Sequence, residues 1–147
     1  MMAASQSIEK LLNGVREAYI SDQAAKGIKA SGKSAASLRI EVTENQGTLY
    51  GSSYFYQQKH GRRPGKFPPI DDILDWIREK RITPKDSKTT ERQLAFLFAR
   101  KIAQRGTDIF EGKRPALEVQ EQIKKLTEEF IKNFSKDFKA EIIQAMK

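Results

Sequence analysis

Thirteen residues in mid-chain, Gln57-Gln58-Lys59-His60-Gly61-Arg62-Arg63-Pro64-Gly65-Lys66-Phe67-Pro68-Pro69, constrain this sequence more than any other feature. Three prolines fix their own φ and withhold backbone donors, and two glycines invite reversals. Residues 57–69 are therefore expected to form a Pro/Gly-rich basic loop rather than a helix or strand. Regular structure has to stop before this run and restart after it, so the chain reads as two arms around an irregular middle.

The arm before the loop begins with Ile8, Leu11, Leu12, Val15, Tyr19 and Ile20 at three- and four-residue steps, which predicts an amphipathic helix over roughly residues 6–25. Gly27 and the run Ser31-Gly32-Lys33-Ser34 interrupt it with loop chemistry. Leu38, Ile40 and Val42 alternate with Arg39, Glu41 and Thr43, the period of a half-buried strand. Asn45-Gln46-Gly47 allows a reversal, and the aromatic-rich stretch Leu49–Tyr56 is expected to return as the second strand of a hairpin.

Beyond the loop, Pro68-Pro69 precede Ile70-Asp71-Asp72, where two acids suit a helix N-terminus. Ile70, Ile73, Leu74 and Ile77 match the helical repeat, Trp76 is assigned to the core, and Thr83-Pro84 ends the element. Thr89 or Thr90 caps the next helix and Gly106 stops it. Its centre, Leu94 to Ala99, is apolar nearly all round and predicts a buried central helix. Thr107 to Ala116 reads as a loop or short extended piece, closed by Arg114-Pro115. A last helix over 117–146 carries Val119, Ile123, Leu126, Phe130, Phe134, Phe138 and Ile142 on one stripe, widened by Ile131 and Ile143. At 1.5 Å per residue it reaches roughly 40 Å, against a radius of gyration near 15 Å for a globule of this size. Part of the stripe is thus expected to project toward neighbouring subunits, with Phe130, Phe134, Phe138 and Ile142 as the oligomer interface. The expected fold is α+β: an N-terminal helix, an antiparallel β-hairpin or small sheet, two central helices and a long C-terminal helix, all in a single domain spanning 1–147.

The 147 residues carry 27 Lys+Arg against 19 Asp+Glu, a formal charge of +8. The excess is concentrated. Residues 23–70 hold eight Lys/Arg and two acids, and no acid lies between Glu44 and Asp71. Such asymmetry points to a polyanionic neighbour, either nucleic acid or an acidic protein surface. The absence of Cys excludes disulfides, thiolate metal sites and a cysteine nucleophile. No apolar run approaches membrane-span length, and Met1 to Gln6 lacks the layout of a signal peptide, so the chain reads as soluble, intracellularly made and without membrane partners.

Gly61 to Phe67 superficially resembles a phosphate-binding loop. The glycine spacing is one residue short, Pro64 removes an amide donor, and Phe67 replaces the magnesium-holding hydroxyl. His60 is the only histidine and has no partner spacing for zinc or for a nucleophile triad. No catalytic, cofactor-binding or metal-ligating residue is assigned. Lys59, His60, Arg62, Arg63, Lys66 and Phe67 are instead expected to contact a partner or DNA through a rigid Pro/Gly frame.

Several runs together carry a resemblance: Ala30-Ser31-Gly32-Lys33, Tyr54 to Gln58, His60 to Pro69, Ile73 to Ile82, and Ala99 to Thr107 with Phe110 downstream. This succession, over about residues 30–112, resembles the neck or tail-completion proteins of tailed bacteriophages, also known as head–tail joining or minor capsid proteins. The resemblance implies a non-enzymatic virion component, made in the host cytoplasm and placed at the portal vertex. Such proteins assemble as six- or twelvefold rings between portal and tail, around the DNA channel. The implied partners are further copies of the chain, the portal and other neck or tail proteins, with non-specific contact to packaged DNA. A strongly positive lumen would impede sliding DNA, which favours docking of the basic loop onto acidic neighbours. The alternative function is that of a small basic nucleic-acid-binding protein acting through non-specific phosphate contacts.

Overall fold

The structure, a computed structural model, describes residues 2–28 and 32–147. Helix α1 covers Met2–Ala25, α2 Lys33–Ala36, α3 Tyr54–His60, α4 Ile70–Glu79, α5 Glu91–Arg105 and α6 Gln120–Ala145. Strands β1 (Arg39–Val42) and β2 (Gly47–Tyr50) form a two-stranded antiparallel sheet in which Arg39 pairs with Tyr50 and Val42 with Gly47. The architecture is α+β with an N-terminal helix, a hairpin, two central helices and a long C-terminal helix. No helix among the described residues is long and apolar enough to cross a membrane.

Contacts gather into two units. The first comprises residues 1–25, 35–52 and 118–147. Here α1 packs against both the hairpin and α6. Gly14 lies against Leu126, where an added Cβ would come 3.1 Å from a leucine methyl, so the absence of a side chain lets the two helices approach closely. The Glu118 N–H donates to Asp22 at 2.8 Å. These two contacts fix an antiparallel register, and with equal rise in both helices the first turn of α1 reaches only about residue 136 of α6. The reversal between the strands is closed by the Thr43 N–H donating to the Gln46 carbonyl at 2.7 Å.

The second unit comprises residues 26–34 and 53–117. Its core is Leu74 and Ile77 of α4 against Ala95 of α5, surrounded by Ile70, Ile73, Trp76, Ile82, Leu94 and Phe98. Trp76 meets Phe98 edge-on, ring centroids 5.6 Å apart at 81°, and so belongs to the core as its helical position requires. Helix α4 ends at Glu79, before Thr83-Pro84, because Arg81 turns left-handed (φ 54°) and the Ile82 N–H reaches back to the Ile77 carbonyl. Helix α5 opens with a capping box: Thr90 accepts from the Gln93 N–H, and the Gln93 side chain accepts from the Thr90 N–H.

Four expectations are corrected. The second strand stops at Tyr50, because its partner ends at Arg39 and the Ser52 N–H turns to the Ser37 hydroxyl. Tyr54–His60 is helical, so Lys59 and His60 sit on α3 and the irregular segment begins at Gly61. Lys33 and Ser34 belong to the single turn of α2 rather than to a loop, while Lys29, Ala30 and Ser31, two of them in the Ala30–Lys33 motif, lie outside the described residues. Helix α5 is buried on one face only. Ala95 and Ala99 are fully covered, but Phe96 and Leu97 remain 45% and 52% exposed, since a unit this small has too little protein to cover both sides.

Candidate functional site

The segment 61–69 is irregular in shape but held to the second unit along its length. Gly61 terminates α3 with φ 72°, and a Cβ there would lie 2.7 Å from the Phe110 Cα. Gly106 terminates α5 with φ 82°, and its Cβ would lie 2.6 Å from the Arg62 carbonyl. Both positions thus require glycine for conformation and for space. Between them the Arg62 N–H donates to Thr107 Oγ1 at 2.9 Å, and the Thr107 N–H donates to the Arg62 carbonyl at 3.0 Å. Farther along, the Gly65 N–H donates to the Ala103 carbonyl of α5 at 2.8 Å. The Phe67 ring packs on Phe96 with centroids 5.6 Å apart, and Pro68 is buried. The ordering entropy of this backbone is spent in folding, which leaves less to lose when a partner binds.

The side chains face outward. Arg63 and Lys66 are exposed, and Phe67 is half in solvent. On α5, Phe96, Leu97 and Arg100 lie three and four residues apart on a single face and continue the same surface. Nearby cations are already engaged: Arg92 with Asp71 at 3.0 Å and Lys101 with Asp108 at 3.3 Å. Arg63, Lys66 and Arg100 form no ion pair among the described residues. The result is a rigid mixed surface, aromatic and aliphatic at its centre with free guanidinium and ammonium groups beside it.

Beside the loop, an open cleft of about 460 Å³ is lined by Tyr56, His60, Gly61, Arg62, Arg63 and Phe110. Tyr56 and His60, one helical turn apart on α3, bring their rings to 4.6 Å. The cleft offers guanidinium donors and ring faces with no carboxylate among its lining, a combination suited to carboxylate or phosphate groups. No group of three or more His, Asp or Glu side chains is placed to hold a metal among the described residues.

The second candidate surface is on α6. The rings of Phe130, Phe134 and Phe138 stack in succession at 5.6 and 6.1 Å. Phe130 and Phe134 are half-buried, whereas Phe138 and Ile142 are 43% and 44% exposed. The change has a geometric cause: apolar residues repeated every four positions on a 3.6-residue helix drift by about 40° per step. A stripe that meets α1 at Leu126 has therefore rolled into solvent by Phe138.

Of the residues the sequence singled out, all six of the basic run fall in the second unit, where His60, Arg62 and Arg63 line the cleft, Phe67 packs on Phe96 and Lys59 is exposed on α3 outside the cleft lining, while Phe130, Phe134, Phe138 and Ile142 share α6. Sequence reasoning missed Phe96, Leu97 and Arg100, and it saw Tyr56 beside the basic run and Phe110 downstream of it without assigning either as a contact residue. The alanines at 95 and 99 were the available signal for α5, since a small-residue face marks the side that packs closely and leaves the opposite side out. Comparison with protein-family models, curated proteins and solved structures finds no match.

Proposed function

We propose that this chain is a structural component of a tailed-bacteriophage virion, a ring-forming neck or tail-completion subunit seated between portal and tail around the DNA channel. The observation that carries the assembly part of this reading is the apolar surface left in solvent on α6, where Phe138, Ile142, Ile143 and Met146 are 43–81% exposed. An uncovered apolar face of this kind is characteristic of an interaction site. The type of assembly rests on the resemblance of residues 30–112 to phage neck proteins. In this reading the surface of Arg63, Lys66, Phe67, Phe96 and Leu97 docks an acidic, partly apolar face of an adjacent neck component. Head-to-tail rings need two unlike surfaces on each subunit, one receiving and one inserting.

Native mass spectrometry of the chain alone, and mixed with the portal or adjacent neck protein encoded beside it, tests the proposal. Expected is a closed ring or a stoichiometric complex in the mixture. A strict monomer that joins neither component would overturn it.

A second reading draws on the cleft. Tyr56, His60 and Phe110 beside Arg62 and Arg63 offer stacking faces next to guanidinium N–H donors for phosphate oxygens, the pattern of sequence-independent nucleic-acid binding. That reading requires an affinity that falls steeply with salt.

A further inference from the structure

Five charged residues lie between Ile131 and Met146 on α6, and all five are exposed. At 100° per residue, Ile131, Ile142 and Ala145 fall within about 40° of Phe138 and form an outward strip. Lys132, Lys136 and Lys139 lie on one side of this strip, and Asp137 and Glu141 on the other. Between Ile131 and Met146 the helix pairs only like charges one turn apart, Lys132 with Lys136 and Asp137 with Glu141; the opposite charges within reach, Glu128 and Glu129, stand before the strip and of its lysines face Lys132 alone. None of the five forms an ion pair among the described residues.

A partner helix laid along the strip meets both flanks. With a second copy running in the opposite direction, each flank faces its own kind, lysine against lysine and carboxylate against carboxylate. With the copy running in the same direction, lysines face carboxylates on both sides. We infer that a second copy of this chain packs on the Ile131–Met146 strip with its α6 parallel to the first. This rests on the reading of the chain as an oligomeric component and specifies the polarity of its contact. The exposed apolar side chains here are few, Ile131, Phe138, Ile142, Ile143 and Met146, against the roughly 20–30 residues that each partner brings to a standard stable interface. The contact is thus weak as an isolated pair, and because it uses the same strip on both copies it joins subunits two by two, leaving the head-to-tail joint of a ring to other surfaces.

The chain contains no cysteine, so single-cysteine variants report the contact without background. Ile131→Cys and Ala145→Cys replace exposed side chains of the strip. The two sites are about 21 Å apart along the helix, beyond the reach of a short bismaleimide linker. Parallel packing predicts a cross-linked dimer from each variant alone. Adding Lys132→Glu, Lys136→Glu and Lys139→Glu to either variant lowers that yield by about tenfold by creating like-charged flanks. Cross-linking only when the two variants are mixed shows opposite polarity and overturns the inference, as does the absence of any cross-link. A chain that cross-links as expected yet joins neither portal nor neck protein supports this inference while removing the virion reading. One that joins them without cross-linking does the reverse.

Discussion

Arg62 and Thr107 bond to each other twice, the Arg62 N–H donating to Thr107 Oγ1 at 2.9 Å and the Thr107 N–H to the Arg62 carbonyl at 3.0 Å. The pair joins the start of the proline-framed segment to the residue just past α5, and Thr107 Oγ1 also accepts from the Phe110 N–H at 3.4 Å. Thr107→Val keeps the shape of the side chain and removes only the acceptor. It is expected to destabilise the second unit by about 1–3 kcal/mol, the cost of a half-buried amide left without its partner. Thr107→Ser, which retains the oxygen, is expected to lose less than half of that. Urea unfolding followed by Trp76 fluorescence reads both, since Trp76 packs on the core of the same unit.

Gly61→Ala and Gly106→Ala each combine a left-handed φ with a Cβ that meets backbone atoms. Gly112 provides the control, with φ 74° and nothing within 4 Å of an added Cβ. Gly112→Ala is expected to cost about 1 kcal/mol for conformation alone. The other two are expected to cost more than twice as much, because their positive φ is combined with ψ near 180°, a region open essentially only to glycine, and because the atoms a Cβ meets include backbone, which cannot move aside. Thermal melts of the three variants, compared side by side, give the ranking; equal losses at all three positions would remove the steric part of this account.

Helix α5 shows how far local chemistry can be read before any fold is known. Thr90, Gln93 and Gly106 act within a turn of their own positions, so the cap and the stop follow from the sequence. Helix α3 was not legible in the same way. Tyr54-Phe55-Tyr56 favours strands locally, and the outcome was decided by an event outside the segment, the end of β1 at Arg39, which left residues past Tyr50 without a ladder partner. The candidate surfaces divide likewise. The cations and Phe67 were visible as a composition, and the stripe of α6 as a spacing. Phe96 and Leu97 read as core in the sequence because periodicity shows which residues are apolar but not how much protein is available to cover them.

Thr90→Ala removes the acceptor of the capping box and is expected to destabilise by about 1 kcal/mol, within the 0.5–2 range typical of such caps. Because the Gln93 side chain bonds back to the Thr90 N–H at 2.9 Å, the effects of Thr90→Ala and Gln93→Ala should not add. A double-mutant cycle in urea detects a coupling of at least about 0.5 kcal/mol.

The double substitution Arg63→Ala with Lys66→Ala separates the two functional readings. Both side chains are exposed, so folding stability should change by no more than about 0.5 kcal/mol. If the surface docks an acidic neighbour, complex formation with the adjacent neck protein weakens while any binding to duplex DNA is unaffected. If it holds phosphates, the slope of log affinity against log salt flattens by about 2, close to one unit for each lost contact. Titrations at several salt concentrations, run with DNA and with the neck protein, distinguish these outcomes.

Ile77 and Leu97 provide the sharpest separation of what folds this unit from what it presents. Ile77 is fully buried at the centre of the α4–α5 core, whereas Leu97 is 52% exposed on the outer face of α5. Ile77→Ala opens a cavity where the surroundings are already packed and is expected to cost about 2–5 kcal/mol. Leu97→Ser removes apolar surface that the fold does not bury and is expected to leave stability within about 0.5 kcal/mol. If Phe96 and Leu97 form the centre of a docking face, Leu97→Ser should nevertheless weaken the complex by tenfold or more, about 1.4 kcal/mol, as truncation of a central apolar contact does. Calorimetry for stability and native mass spectrometry for the complex, applied to both variants, should show opposite orders of severity. The same order in both measurements would mean that the outer face of α5 serves no partner.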